Sequence, residues 1–304
     1  MKTIPVILDV DTGTDDAVAL AFASYLPNLD VKLIATGGGN TSVENVTKNT
    51  LNILQFINKG CIGVAKGRGE SLSKHSLSLQ VHGKTGLGDY DFDKLRIRAL
   101  KLSAVEAIHL ILSEESEKIT LIALGPATNF AELIKLYPED KNKIERIVFS
   151  GGLIETLDKD ELPYTSFNVA HDPEAFKVLQ NSGIDLCIVP SNLGHDAFLD
   201  WQDVFKTKTT NSTGAMFEEL FRSYHDRHVK NGIATHDLCA VYFVSNPEIY
   251  SVFNCNCYVE FDKRVDAGIL KFNFDSNEPN CKVAKQVNLK KFKKLYFKTL
   301  KRMP

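Results

Sequence analysis

Four carboxylates, Asp9, Asp11, Asp15 and Asp16, fall within eight residues in the run DVDTGTDDAVAL. Carboxylates within about 4–6 Å of one another raise each other's pKa unless a cation intervenes, so this crowding calls for a cation or a polar ligand. Capping and the helix macrodipole account for one or two aspartates at a helix start, but not for four. With no Cys or His beside them, the carboxylates make a hard, oxygen-only set of the kind that suits Ca²⁺ or Mg²⁺ rather than zinc. An EF-hand loop is excluded by spacing: its glycine and glutamate positions hold Thr14 and Leu20 counted from Asp9, and Asp16 and Phe22 counted from Asp11.

The elements around the run set its place. Residues 4–8 (IPVIL) read as a buried strand and residues 17–25 (AVALAFASY) as a helix packed on a sheet. The aspartates then lie on a strand-to-helix turn, with Gly13 giving it backbone freedom, where open α/β sheets bind ligands. Further along, strand patterns at 31–36, 119–124, 146–150 and 185–190 alternate with helical patterns at 43–58, 103–115, 127–136 and 173–180. Ser103 and Glu106 have the spacing of a capping box. The alternation predicts a single-domain α/β fold over residues 1–304, with a Rossmann-like, open, mostly parallel, doubly wound sheet flanked by helices.

Residues 67–98 lack periodicity and read as a long functional loop. Helical patterns return at 214–229 and 237–243, and residues 257–261 and 269–274 read as a peripheral hairpin. In the C-terminal LKKFKKLYFKTLKRM, Leu289, Phe292, Leu295, Tyr296 and Leu300 recur at helical spacing with lysines between them. Such a basic helix can meet a membrane or RNA, but a solvated face on a docked terminal helix is the better explanation.

Composition narrows the class. The chain has 304 residues, 43% of them hydrophobic, enough for a sizeable core. A formal charge of −2 argues against nucleic acid as partner. The absence of a long apolar run and of a signal-peptide pattern argues against a membrane partner and for a cytoplasmic protein. Six scattered cysteines then read as reduced, buried thiols, and the lone C-x-C pair Cys255 and Cys257 does not make a metal knuckle.

The run resembles the DxDxGxDDAxAL signature of the inosine-uridine nucleoside hydrolases, with Thr12 where that family usually carries Pro. Further landmarks follow in order: TGGGN at 36–40, VTKN at 46–49, VHGKTGLG at 81–88, LGPATN at 124–129, GG at 151–152, FNVAHDPEA at 167–175 and THDLCAV at 235–241. The resemblance spans nearly the whole chain. It implies Ca²⁺-dependent hydrolysis of ribonucleosides to nucleobase and ribose, a role in nucleoside salvage, and a homodimer or homotetramer.

It also implies roles for residues. Asp11, Asp16, Asp237 and the backbone carbonyl of Leu124 would hold the Ca²⁺, and Asp11 would be the general base. Asp15, Asn40 and Asn168 fall near the ribose hydroxyls, where carboxylates stabilise the positive charge of a ribosyl-cation transition state. Asp9 sits behind, orienting a ligand or the loop. His236 and His82 are candidates for the acid that protonates the departing base; alternatively, the first starts a helix and the second shapes a loop. Tyr224 and His228, four apart on the 214–229 helix, would flank the nucleobase, although Phe217, Leu220, Phe221 and Tyr224 equally describe a core stripe.

One departure concerns the ribose 5′ side. Where the family usually has a Glu two residues before the Asn of its FN step, this chain has Ser166, which implies altered 5′ selectivity. Two other readings stand beside the hydrolase: a Mg²⁺-dependent phosphatase of haloacid-dehalogenase type with Asp9 as nucleophile, and a nucleoside-binding member of the same fold with weak or no turnover.

Overall fold

The computed structural model describes residues 3–73, 85–88, 90–154, 166–224, 231–262 and 267–304. In chain order its elements are β1 (Ile4–Val10), α1 (Thr14–Ala23), β2 (Leu29–Thr36), α2 (Val43–Phe56), β3 (Val64–Lys66), α3 (Ala104–Glu114), β4 (Ile119–Ala123), α4 (Thr128–Leu136), β5 (Ile144–Ser150), α5 (Phe167–His171), α6 (Pro173–Gln180) and β6 (Leu186–Val189). They continue with α7 (Ser191–Asp196), β7 (Leu199–Asp200), α8 (Trp201–Lys208), α9 (Ser212–Ser223), β8 (Gly232–Ile233), α10 (His236–Ser245), β9 (Tyr250–Asp262), β10 (Ala267–Asn273), β11 (Cys281–Val287) and α11 (Leu289–Leu300).

Nine strands form one sheet in the order β10-β9-β11-β6-β5-β4-β1-β2-β3. From β11 to β3 all pairings are parallel; β9 runs antiparallel to both of its neighbours. The central strands β1, β4, β5 and β6 are largely buried on both sides, as their near-continuous apolar sequences require. Successive residues therefore face opposite cores: Val6, Leu8 and Val10 of β1 join one, and Ile7 the other. Helices α1, α2, α9, α10 and α11 cover the first face, and α3, α4 and α6 the second.

The chain winds outward from β1 through β2 to β3, then returns to β4 and winds the other way. The order reverses between β1 and β4, where Asp9 sits beside both Ala35 of β2 and Ala123 of β4. That reversal opens a crevice at the carboxyl ends of the strands, the usual ligand site of a doubly wound sheet.

Local signals explain several elements. Ser103 Oγ accepts from the Glu106 amide, and Glu106 accepts from the Ser103 amide at 2.9 Å, so the capping box is formed. In α11, Phe292, Tyr296 and Leu300 are fully buried, with Tyr296 stacked on Phe22 at 4.8 Å, while lysines occupy the outer face. This is the docked terminal helix with a solvated basic side.

Other expectations need correction. The helix read at 214–229 spans Ser212–Ser223, and Tyr224 follows it in extended conformation, so Tyr224 is not on a helical face four residues from His228. The hairpin is present, but the structure adds β11, which enters between β9 and β6. Cys61 is exposed; the other five cysteines are buried, and all six are free thiols. Among the described residues, no helix is long and apolar enough to cross a membrane.

Candidate active site

The crevice is built from the ends of the parallel strands. β1 carries Asp9 and leads into Asp11, β2 leads into Gly39 and Asn40, β4 leads into Leu124, and β5 ends at Ser150. Asp15 and Asp16 occupy the first turn of α1, and His236 and Asp237 the first turn of α10. Helix N-termini favour negative charge, which helps to explain why three of these carboxylates lie there.

Asp16 combines two jobs. Its carboxylate accepts from the backbone amides of Gly13 (3.0 Å) and Asp11 (3.2 Å), which is ordinary helix capping. It also accepts from Asn40 Nδ2 at 3.2 Å. Asn40 in turn donates its backbone amide to Asp11 Oδ2 at 2.9 Å, so one residue holds two of the carboxylates. Asp11 fits because Gly39 has no side chain: a Cβ there would lie 2.1 Å from Asp11 Oδ2. Across the crevice, Ser150 Oγ donates to Asp237 at 2.9 Å.

Oxygens of Asp15, Asp16 and Asp237 all lie within 4.8 Å of one another. Asp11 is outside that trio but close enough to interact electrostatically with it. Burial first, then the negative charges of Asp15, Asp16 and Asp11, hold Asp237 well above the carboxylate range. Burial and the charge of Asp16 do the same to Asp11. Burial and Asp15 push Asp16 up to about 7, against the amides that stabilise its charge. A buried, all-oxygen set whose members resist ionisation together fits a hard divalent cation, which would reverse that penalty.

Asp9 is set apart. It is 3% exposed, its carboxylate accepts from Asn129 Nδ2 at 2.7 Å, and burial raises its pKa to about 7. The phosphatase reading, which needs Asp9 as an open nucleophile, is not favoured by this geometry.

The ribose-side candidates have defined partners. Asn168 Nδ2 donates to the carbonyls of Leu124 (2.5 Å) and Ser150 (2.8 Å), bridging the ends of β4 and β5. Ser166, the residue before α5, is buried and its hydroxyl accepts from the Gly152 amide at 2.6 Å. His236 is half-buried, with its ring edge-on to that of His195 at 5.0 Å. Tyr224 is buried in the first core and lines an outer groove of about 340 Å³ with Trp201, Phe205 and Phe221, and none of the crevice aspartates lines that groove. His82 and His228 lie outside the described residues.

Sequence reasoning missed Asn129, Ser150 and His195. The first two belong to quoted landmarks or abut them, LGPATN and GG, but only Leu124 and the glycines were read there. Asp172, within FNVAHDPEA, is structural: it caps α6 through the Ala175 amide and also accepts from Thr128 Oγ1 and the Leu72 amide.

Comparison with known proteins identifies the family. The family model described as inosine-uridine preferring nucleoside hydrolase matches residues 6–294. The chain is 34% identical over 305 residues to a non-specific ribonucleoside hydrolase of Escherichia coli O127:H6, covering 99% of each chain. A non-specific ribonucleoside hydrolase of Klebsiella pneumoniae is 34% identical over 295 residues, covering 96% of each. A solved plant nucleoside hydrolase superposes with a TM-score of 0.88 at 26% identity, over 98% of this chain and 99% of the other. A purine-preferring ribonucleoside hydrolase from Gardnerella vaginalis shares the fold with a TM-score of 0.88 at 24% identity, over 98% of each chain. With the crevice, its carboxylates and these full-length matches together, the chain belongs to the inosine-uridine preferring nucleoside hydrolase family and is a hydrolase of N-glycosyl bonds.

Proposed function

We propose that this chain hydrolyses ribonucleosides to free nucleobase and ribose with Ca²⁺, as a cytoplasmic salvage enzyme acting as a homodimer or homotetramer. The observation that carries the reading is the convergence of Asp11, Asp15, Asp16 and Asp237 at the point where the strand order reverses. Asp11, Asp16, Asp237 and the Leu124 carbonyl would hold the ion. When bound, the cation would neutralise these carboxylates and supply Lewis acidity to the ribose diol and to nearby water.

The protein's own groups supply the rest. Asp11, steadied by the Asn40 amide, accepts the proton of the water whose oxygen bonds to C1′. The electron pair of the breaking C1′–N bond leaves with the base, and His236 protonates it; His82 is the second candidate for that role. Asp15, Asn40 and Asn168 orient the ribose hydroxyls, and the carboxylates stabilise the positive charge that develops at C1′ and the ring oxygen. A panel of nucleosides assayed for reducing sugar tests this: chelation should abolish release and Ca²⁺ should restore it. Turnover indifferent to chelation would sink the reading.

Ser166, at the position that the resemblance assigns to the 5′ side, is short and neutral, and its hydroxyl oxygen accepts from the Gly152 amide. We expect weak discrimination between a nucleoside and its 5′-deoxy analogue. A strong preference for the free 5′-hydroxyl, measured as a kcat/KM ratio above about 100, would refute the assignment, because a site built to bind a hydroxyl rejects the analogue lacking it by larger factors still.

A further inference from the structure

We propose that the Gly194–His195 step of α7 is a positioning element that fixes the ring of His236 for leaving-group protonation. The inference rests on the reading of His236 as the acid. Gly194 lies inside a helix, where glycine costs about 1 kcal/mol relative to Ala. It does not adopt a left-handed backbone conformation, so conformation does not demand glycine. Space does: a Cβ at Gly194 would fall 2.1 Å from His236 Nδ1, 2.7 Å from Cγ and 2.8 Å from the backbone Cα. A rotamer change of the imidazole cannot relieve the contact with Cα.

The neighbouring residue also meets that ring. The His195 ring stands edge-on to that of His236, with centroids 5.0 Å apart and an interplanar angle of 79°. His236 Nδ1 is shielded from solvent against Gly194, which leaves Nε2 as the nitrogen to meet a departing base.

The backstop itself is anchored at both ends. The Ser191 amide donates to the Gly152 carbonyl at 2.9 Å, and the Asn192 side chain pairs with both backbone groups of Ile154. Leu193 is fully buried, and Thr235 Oγ1 donates to the Ala197 carbonyl at 2.9 Å, joining the end of α7 to the start of α10. The same segment thus touches the GG turn that holds Ser166 and the turn that presents His236.

The test compares two leaving groups in Gly194→Ala, His195→Ala, His195→Phe and, as reference, His236→Ala. Inosine or uridine needs its base protonated; a 4-nitrophenyl riboside releases a stable phenolate that does not. Loss of a general acid costs on the order of 10²–10⁴-fold. We expect Gly194→Ala to lose at least about tenfold in kcat on the nucleoside, with KM little changed and a far smaller loss on the nitrophenyl riboside. His195→Ala should lose selectively in the same sense, and His195→Phe, which keeps a ring against His236, should recover most of it. Equal losses on both substrates would mean that Gly194 only lets α7 pack, and would overturn the proposal, as would His195→Phe behaving like His195→Ala. If Gly194→Ala does not fold, the His195 pair decides alone. Should His236→Ala itself show no selectivity, the assignment of His236 as acid fails instead, a result distinct from failure of the backstop.

Discussion

Asp11 occupies a pocket made by what its neighbours lack. Gly39 leaves room for its carboxylate, the Asn40 amide binds one of its oxygens, and three other carboxylates raise the cost of its charge. Replacing it by Asn keeps an oxygen for the Asn40 amide and removes the charge, so two effects separate. Asp11→Asn should reduce nucleoside turnover by at least about 100-fold, because the proton acceptor is gone. In chelator at pH 7.5 it should be no less stable than the unmodified protein, since a buried like charge has been deleted. Reducing-sugar assay and thermal unfolding measure the two; a destabilised, active variant would contradict both assignments. The acidic run was legible in the sequence because its residues are neighbours. Asn129 and Ser150 were not, because the aspartates they bind lie 120 and 87 positions away and the landmarks beside them do not show that pairing.

Elements were legible where their pattern is local. The capping box of α3 and the apolar spacing of α11 gave those helices almost to the residue, whereas α9 was overrun because Tyr224 continues the aromatic spacing after the helix has ended. β11 escaped notice since Lys282, Lys285 and Gln286 dilute its apolar alternation, and its place between β9 and β6 depends on pairings distant in sequence. The two faces of α11 make a quantitative contrast. Tyr296 is fully buried, stacks on Phe22 and accepts from Thr207 Oγ1 at 3.2 Å. Tyr296→Ala should therefore cost about 3–5 kcal/mol in denaturant unfolding, the usual penalty for emptying an aromatic site. Lys298→Ala, on the outer face of the same helix, should stay within about 0.5 kcal/mol. A large loss at Lys298 would mean that the basic face is not simply solvated.

At the scale of the whole molecule, the doubly wound sheet gathers carboxylates at its centre and the rest of the fold carries their electrostatic cost. Burial, the largest cause in each case, raises Asp9 and Asp16 to about 7 and holds Asp11 and Asp237 well above their ordinary range. In an unfolded chain these groups titrate near 4. Between about pH 4 and 7 the metal-free folded state therefore binds more protons than the unfolded state, and the site's contribution to stability falls as pH rises. Paired surface carboxylates such as Asp200, which Lys293 lowers to about 2, act in the opposite direction but do so with or without the cation. The difference between Ca²⁺-loaded and chelated protein isolates the site. Protons and cation compete for the same oxygens, so the gap in melting temperature at a fixed excess of Ca²⁺ should widen from pH 5 to pH 7.5. Saturation at about 100 times the Kd corresponds to about 2.7 kcal/mol of added stability. A gap that stays constant or narrows over that range would show that the buried carboxylates at the strand-order reversal are not the groups that bind the ion.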